Sequence, residues 1–116
     1  MPHFVMEYSR SLEETLSIKE LMDVAFNAGV RSGVVEAKNI KVRALPYEHF
    51  RLEGGIETFL HVNVYLLAGR TPEQKAHVST LIRDSLADAY PAIGSISIDI
   101  RDMDPDAYRK RVLGAQ

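Results

Sequence analysis

Residues 59–74 read FLHVNVYLLAGRTPEQ, and this stretch decides the fold. Leu60, Val62, Val64 and Leu66 alternate with His61, Asn63 and Tyr65. A period of two marks a half-buried β-strand. Ala68-Gly69-Arg70 then leads into Thr71-Pro72-Glu73-Gln74. Thr71 as N-cap, proline at the first helical position and glutamine at the third open a helix. That helix buries Val78, Leu81, Ile82, Ser85, Leu86 and Ala89 at helical spacing. Pro91 follows its end, and Ile96, Ile98 and Ile100 alternate with Ser97, Asp99 and Arg101 as another strand. The unit is strand, helix, strand.

The same order precedes it. Pro2 to Tyr8 reads as a strand. Ser17 with Glu20 makes a capping box, and Leu16 with Leu21 is spaced as a hydrophobic staple. The helix they open turns Ile18, Leu21, Met22, Ala25 and Ala28 to one side, with Ser11 and Glu14 as a competing start. Gly29 and Gly33 bracket its exit. A strand near Asn39 to Leu45 sets Ile40, Val42 and Ala44 against Lys41, Arg43 and Leu45. Residues 46–55, with Pro46, Gly54 and Gly55, read as a turn or short hairpin. Asp104-Pro105-Asp106 reads as the start of a short C-terminal helix, with Arg109-Lys110-Arg111 as its solvated face.

Two copies of one β-α-β unit predict an α+β fold over a single domain, residues 1–116. Each unit joins parallel strands by a right-handed crossover. The expected architecture is a four-stranded mixed sheet with two helices on one face. The other face carries Phe59, His61 and Tyr65 and needs a partner, which a second copy of the chain supplies.

Composition excludes several classes. Hydrophobic content of 46% beside 26% charged residues is globular rather than disordered. A net charge of −2 argues against a nucleic-acid binder. The absence of cysteine removes disulfides, thiolate nucleophiles and Cys-based zinc sites together. No apolar run approaches a membrane span, so a cytoplasmic protein is expected.

Pro2 is the first candidate for chemistry. Once Met1 is removed, Pro2 bears a free secondary amine at the start of a rigid strand. A free α-amine titrates at roughly 7.7–8.0, and burial or neighbouring cations lower that value. A base near neutrality suits proton abstraction beside a carbonyl. Lys41, Arg43 and Arg70 are the cations that could reach it; the alternative for Lys41 and Arg43 is a solvated strand face. His3, His49, His61 and His77 lack metal-ligand spacing, so no metal site is expected, and His61 reads as a hydrogen-bonded interface histidine. The carboxylates sit in helix starts and turns, where they cap, and no pair is placed for acid–base work.

Taken together, Pro2, the doubled unit and the basic residues resemble the tautomerase superfamily. Within it, Pro2-His3-Phe4-Val5-Met6-Glu7 is similar to the opening of the 5-carboxymethyl-2-hydroxymuconate Δ-isomerase family. Phe59-Leu60-His61-Val62 resembles that family's aromatic-Val-His-Met strand, and Gly69-Arg70-Thr71 its Gly-Arg-Ser before the second helix. The resemblance implies a homotrimer with sheet faces packed around the three-fold axis. It implies a cofactor-free isomerase of homoprotocatechuate catabolism, acting on a dienol with several carboxylates. Pro2 would carry the proton, while Lys41, Arg43 and Arg70 would bind carboxylates and stabilise the dienolate. Two departures stand out. Lys41 replaces the first of two family arginines and lacks the bidentate fork. No tryptophan is present, and Tyr47 and Phe50 are the residues available to fill the family's aromatic region. Other superfamily activities, dehalogenase or hydratase chemistry and decarboxylation, stay open, as does a non-catalytic oligomeric binding module.

Overall fold

Alternating strands and two capped helices assemble as a sheet with one covered face. The computed structural model describes residues 2–114. The strands are β1 (His3–Ser9), β2 (Lys41–Tyr47), β3 (Phe59–Leu67) and β4 (Ser95–Met103), and the helices α1 (Ile18–Arg31) and α2 (Pro72–Ala89). Strand order is β2-β1-β3-β4. β1 runs parallel to β2 and antiparallel to β3, and β3 runs parallel to β4. The sheet is therefore mixed, with each β-α-β unit parallel within itself.

The period-two pattern sorts the faces. Phe4, Met6, Leu60, Val62 and Val64 are fully buried, and they pack with Leu21, Ala25 and Ala28 of α1 and Val78, Ile82 and Leu86 of α2. The opposite face carries His3, Val5 and Glu7, then Lys41 and Arg43, then His61, Asn63 and Tyr65, all half-buried or exposed. Both helix starts follow their caps. Ser17 Oγ accepts the Glu20 N–H at 3.2 Å, and Thr71 with Gln74 closes a reciprocal box. The competing Ser11–Glu14 start is not used: these residues lie in a separate 3-10 turn over Arg10–Glu14, with Ser9 at its cap position and no side-chain cap bond.

The exit of α1 is as expected: Gly29 stands in its last turn, where a Cβ would lie 2.7 Å from the Phe4 ring. Gly33 follows the end with φ 73°, so the two glycines bracket it. Other boundaries differ from expectation, each for a local reason. β2 runs on through Pro46 to Tyr47, which an edge strand tolerates since the missing N–H serves no outer neighbour. Of the expected 46–55 turn, the bend at Gly54-Gly55 remains, both residues at positive φ. Ala89 is exposed in the last turn of α2.

The C-terminal helix does not form among the described residues. A single turn replaces it: Asp104 O accepts the N–H groups of Ala107 and Tyr108 at 3.1 and 2.9 Å. Asp104 Oδ1 accepts the Asp106 N–H at 2.9 Å. One turn is a costly nucleus, and nothing after it propagates the pattern. Tyr108 instead docks back on His3 of β1.

Candidate active site

The register fixes what meets at one end of the sheet. His3 stands opposite Lys41 on β2 and Tyr65 on β3, while Leu67 stands opposite Met103. The starts of β1 and β2 and the ends of β3 and β4 therefore share an edge. Pro2 lies at its centre, with its ring buried and its carbonyl accepting the Lys41 N–H at 3.0 Å. Lys41 and Arg43 project from β2 on the open face. Arg70 follows β3 after Gly69, whose φ of 130° turns the chain, and its Nη1 donates to the Leu67 carbonyl at 3.2 Å. All four residues singled out in the sequence thus gather at one sheet end.

The charge pattern there is unusual. Arg10, Lys19, Lys38, Arg51, Lys75, Arg83 and Arg101 each pair with a carboxylate. Among the described residues, Lys41, Arg43, Arg70, Arg109, Lys110 and Arg111 form no such pair. The one other cation without a carboxylate is Arg31, which donates to Ser85 Oγ at 2.7 Å. Cations left without acids are suited to an anionic ligand, since Arg and Lys carry donors and no acceptor.

His3 organises this end, a role the sequence reading did not assign. Its Nδ1 lies 3.1 Å from Arg43 Nη1, and its Nε2 lies 2.9 Å from the Tyr108 hydroxyl. Arginine can only donate, so Nδ1 must be the lone-pair nitrogen. The proton is then on Nε2, which donates to Tyr108 Oη. Ring centroids 5.9 Å apart at 74° add an edge-on contact. Burial lowers the His3 pKa below its usual value, and the positive charges of Arg43 and Lys41 lower it further. A neutral ring satisfies both hydrogen bonds. Tyr108 and the basic run beside it were invisible as site residues because they belong to the C-terminal segment, whose path depends on where β4 ends.

This pKa direction has a consequence for stability. A folded-state pKa below 6.5 means that the unfolded chain binds more protons as the solution is acidified. The His3 contribution is present in full above about pH 6.5 and lost as pH falls through the folded value. Denaturation midpoints are expected to drop between pH 7.5 and pH 5, and to drop less in His3→Gln. An equal drop in both proteins would remove His3 as the cause.

Elsewhere on the open face, His61 is hydrogen-bonded within the chain. His61 Nδ1 lies 2.6 Å from Ser97 Oγ and Nε2 lies 2.9 Å from Asn63 Oδ1, so His61 is a hydrogen-bonded face histidine. Tyr47 and Phe50 pack against Phe59, with centroids 6.1 and 5.2 Å away. Within one chain they sit at the end of the sheet away from Pro2, so they do not fill space beside it. A pocket of about 360 Å³ near Leu12, Leu16, Tyr90 and Ile93 also lies at that far end. Its lining holds no cation, so it does not suit a carboxylate. No helix is long and apolar enough to cross a membrane among the described residues.

Residues 2–111 match the family model of 5-carboxymethyl-2-hydroxymuconate isomerase. No curated protein matches the chain. A solved 5-carboxymethyl-2-hydroxymuconate delta-isomerase superposes with a TM-score of 0.78 at 18% identity, covering 97% of this chain and 88% of that one. A 5-carboxymethyl-2-hydroxymuconate isomerase from Deinococcus radiodurans R1 gives 0.71 at 23% identity, over 95% and 88%. A fused wild-type 4-OT, a symmetric trimer, gives 0.68 at 17% identity, over 99% and 93%. The fold is shared with all three.

Proposed function

The chain belongs to the 5-carboxymethyl-2-hydroxymuconate isomerase family, and from that premise we propose that this isomerase shifts a proton within a carboxylated dienol. The substrate is 5-carboxymethyl-2-hydroxymuconate or a close relative, and the product its conjugated oxo-enone, on the homoprotocatechuate branch of aromatic-acid breakdown. The observation that carries this reading is the set of carboxylate-free cations around the start of β1.

In this reading Pro2 begins at its mature N-terminus as a neutral amine. Its buried ring and the nearby cations both disfavour the ammonium form. The amine takes the proton from the dienol hydroxyl side, and negative charge spreads over the dienolate. Lys41, Arg43 and Arg70 stabilise that charge and hold the carboxylates, the role of preorganised donors in a transition state. Pro2 then returns a proton to carbon, so the atoms balance and no cofactor is required. Arg43 has one N–H on His3 and keeps the others for substrate. Lys41 acts as a point charge rather than a fork.

The half-buried residues of the open face support assembly as a homotrimer, as does the trimer of the fused 4-OT fold relative. Packing three such faces together would bury His61 and Tyr65 and bring neighbouring chains close to each Pro2.

The test is ultraviolet-monitored isomerisation of 5-carboxymethyl-2-hydroxymuconate by protein whose intact mass shows loss of Met1. Turnover is expected, and its absence in correctly processed protein would end the substrate assignment. Arg70→Ala is expected to lower kcat/KM by about 10–100-fold, the scale of a lost hydrogen bond to a charged group. An uncharged dienol should be turned over equally by both proteins. Equal losses on both substrates would remove carboxylate binding as Arg70's role.

A further inference from the structure

The C-terminal segment contributes to the cation-rich end of the sheet through Tyr108. His3 follows Pro2 directly, so their Cα atoms are about 3.8 Å apart. Tyr108 reaches this point from far along the chain, and its hydroxyl is 2.9 Å from His3 Nε2. The order of donors is set at the other end of the chain of bonds. Arg43 donates to His3 Nδ1, so His3 donates through Nε2 and Tyr108 Oη accepts. The phenolic hydrogen is then left over. Among the described residues, His3 is the one group hydrogen-bonded to that hydroxyl, and it bonds as a donor. The phenol is an unused donor one hydrogen bond away from His3, whose ring feels the positive charge of Arg43, Lys41 and Lys110. A phenol that donates here needs an acceptor, and the surrounding charge selects an anionic one.

We propose that Tyr108 is a specificity-determining residue that donates its hydroxyl hydrogen to a substrate carboxylate, oriented by the Arg43–His3 pair. Arg70, which follows β3 and is bonded to the Leu67 carbonyl rather than to this chain of bonds, serves a separate carboxylate. A dienol with several carboxylates is then held at two places, and one with a single carboxylate engages Arg70 without Tyr108. The inference rests on the dienol reading given above, and it deepens that reading by assigning a residue to the second carboxylate.

Tyr108→Phe keeps the ring edge against His3 and removes only the donor. For the multiply carboxylated dienol, KM is expected to rise about tenfold with kcat within twofold, the scale of one lost hydrogen bond to a charged acceptor. For a dienol with one carboxylate, neither constant should change. A KM unchanged within twofold on the multiply carboxylated substrate overturns the proposal, as does an equal rise on both substrates.

A second readout does not depend on turnover. Tricarballylate, an unreactive tricarboxylate, is titrated while the His3 ring nitrogens are followed by NMR. Wild type should bind with a perturbed His3 signal, and Tyr108→Phe should bind about tenfold more weakly. Equal affinities, or no response of His3 in wild type, overturn the proposal. If the dienol is not turned over but the tricarballylate difference holds, the isomerase substrate assignment fails and the Tyr108 contact stands.

Discussion

Pro2→Ala is expected to lower kcat by about 10²-fold, with the sheet and the assembly intact. A positioned general base contributes about 10²–10⁴ in rate. The loss falls toward the lower end because alanine still offers an N-terminal amine. That amine is primary, lacks the ring packed into the core end and is free to turn. Pro2 is fully buried and its carbonyl bond to the Lys41 N–H belongs to the backbone, so the substitution keeps the register. Circular dichroism and sedimentation should match wild type. A companion protein that retains Met1 turns the same nitrogen into an amide, and its activity should vanish. The pH profile supplies the sign. Activity requires the neutral amine, so kcat/KM falls as pH drops through the amine pKa, and in Pro2→Ala that limb moves. A loss in Pro2→Ala under threefold, or full activity with Met1 attached, would end the role of Pro2.

The second large effect is on stability, at the contact between β1 and α1. Phe4 is fully buried, and its ring lies where a Cβ on Gly29 would stand, 2.7 and 2.8 Å from the two nearest ring carbons. Phe4→Ala is expected to cost about 3–5 kcal/mol, the usual result of emptying a buried aromatic site. Gly29→Ala sets two effects against each other. Alanine in a helix interior is favoured over glycine by about 1 kcal/mol. Overpacking a filled core costs about 1–3 kcal/mol. With a buried ring as the obstacle, the clash wins, and a net loss is expected. In the Phe4→Ala background the obstacle is gone, so Gly29→Ala should become stabilising by about 1 kcal/mol. Urea unfolding of the four proteins measures the coupling. Additive effects would mean that the helix and the ring are not in contact.

This pair also shows how far the sequence could be read. The periodicities and caps were legible: Leu60 to Leu66 as a strand, Thr71-Pro72-Gln74 as a helix start, Ser17 as the first cap. They are local, set by side-chain alternation and by the unsatisfied N–H groups of a helix end. Gly29 and Gly33 bracket the end of α1 as read, but the need for glycine at 29 was not legible until Phe4 was known to face it. Pro46 was misjudged as a turn because its tolerance depends on β2 being an edge strand.

The candidate site divides in the same way. Pro2, Lys41, Arg43 and Arg70 could be named from residue type, strand alternation and family resemblance. His3 and Tyr108 could not, because their pairing spans 105 residues and rests on the segment after β4 returning past β3 to the start of β1.

By itself, the sequence determined the elements, the faces they bury and the doubled β-α-β plan, since each follows from neighbours a few residues apart. Only the tertiary structure decided which strand ends meet, which cations are left without acids and which direction the Arg43–His3–Tyr108 bonds run. Those depend on register and on donors that find acceptors across the chain, and neither is encoded in any one segment.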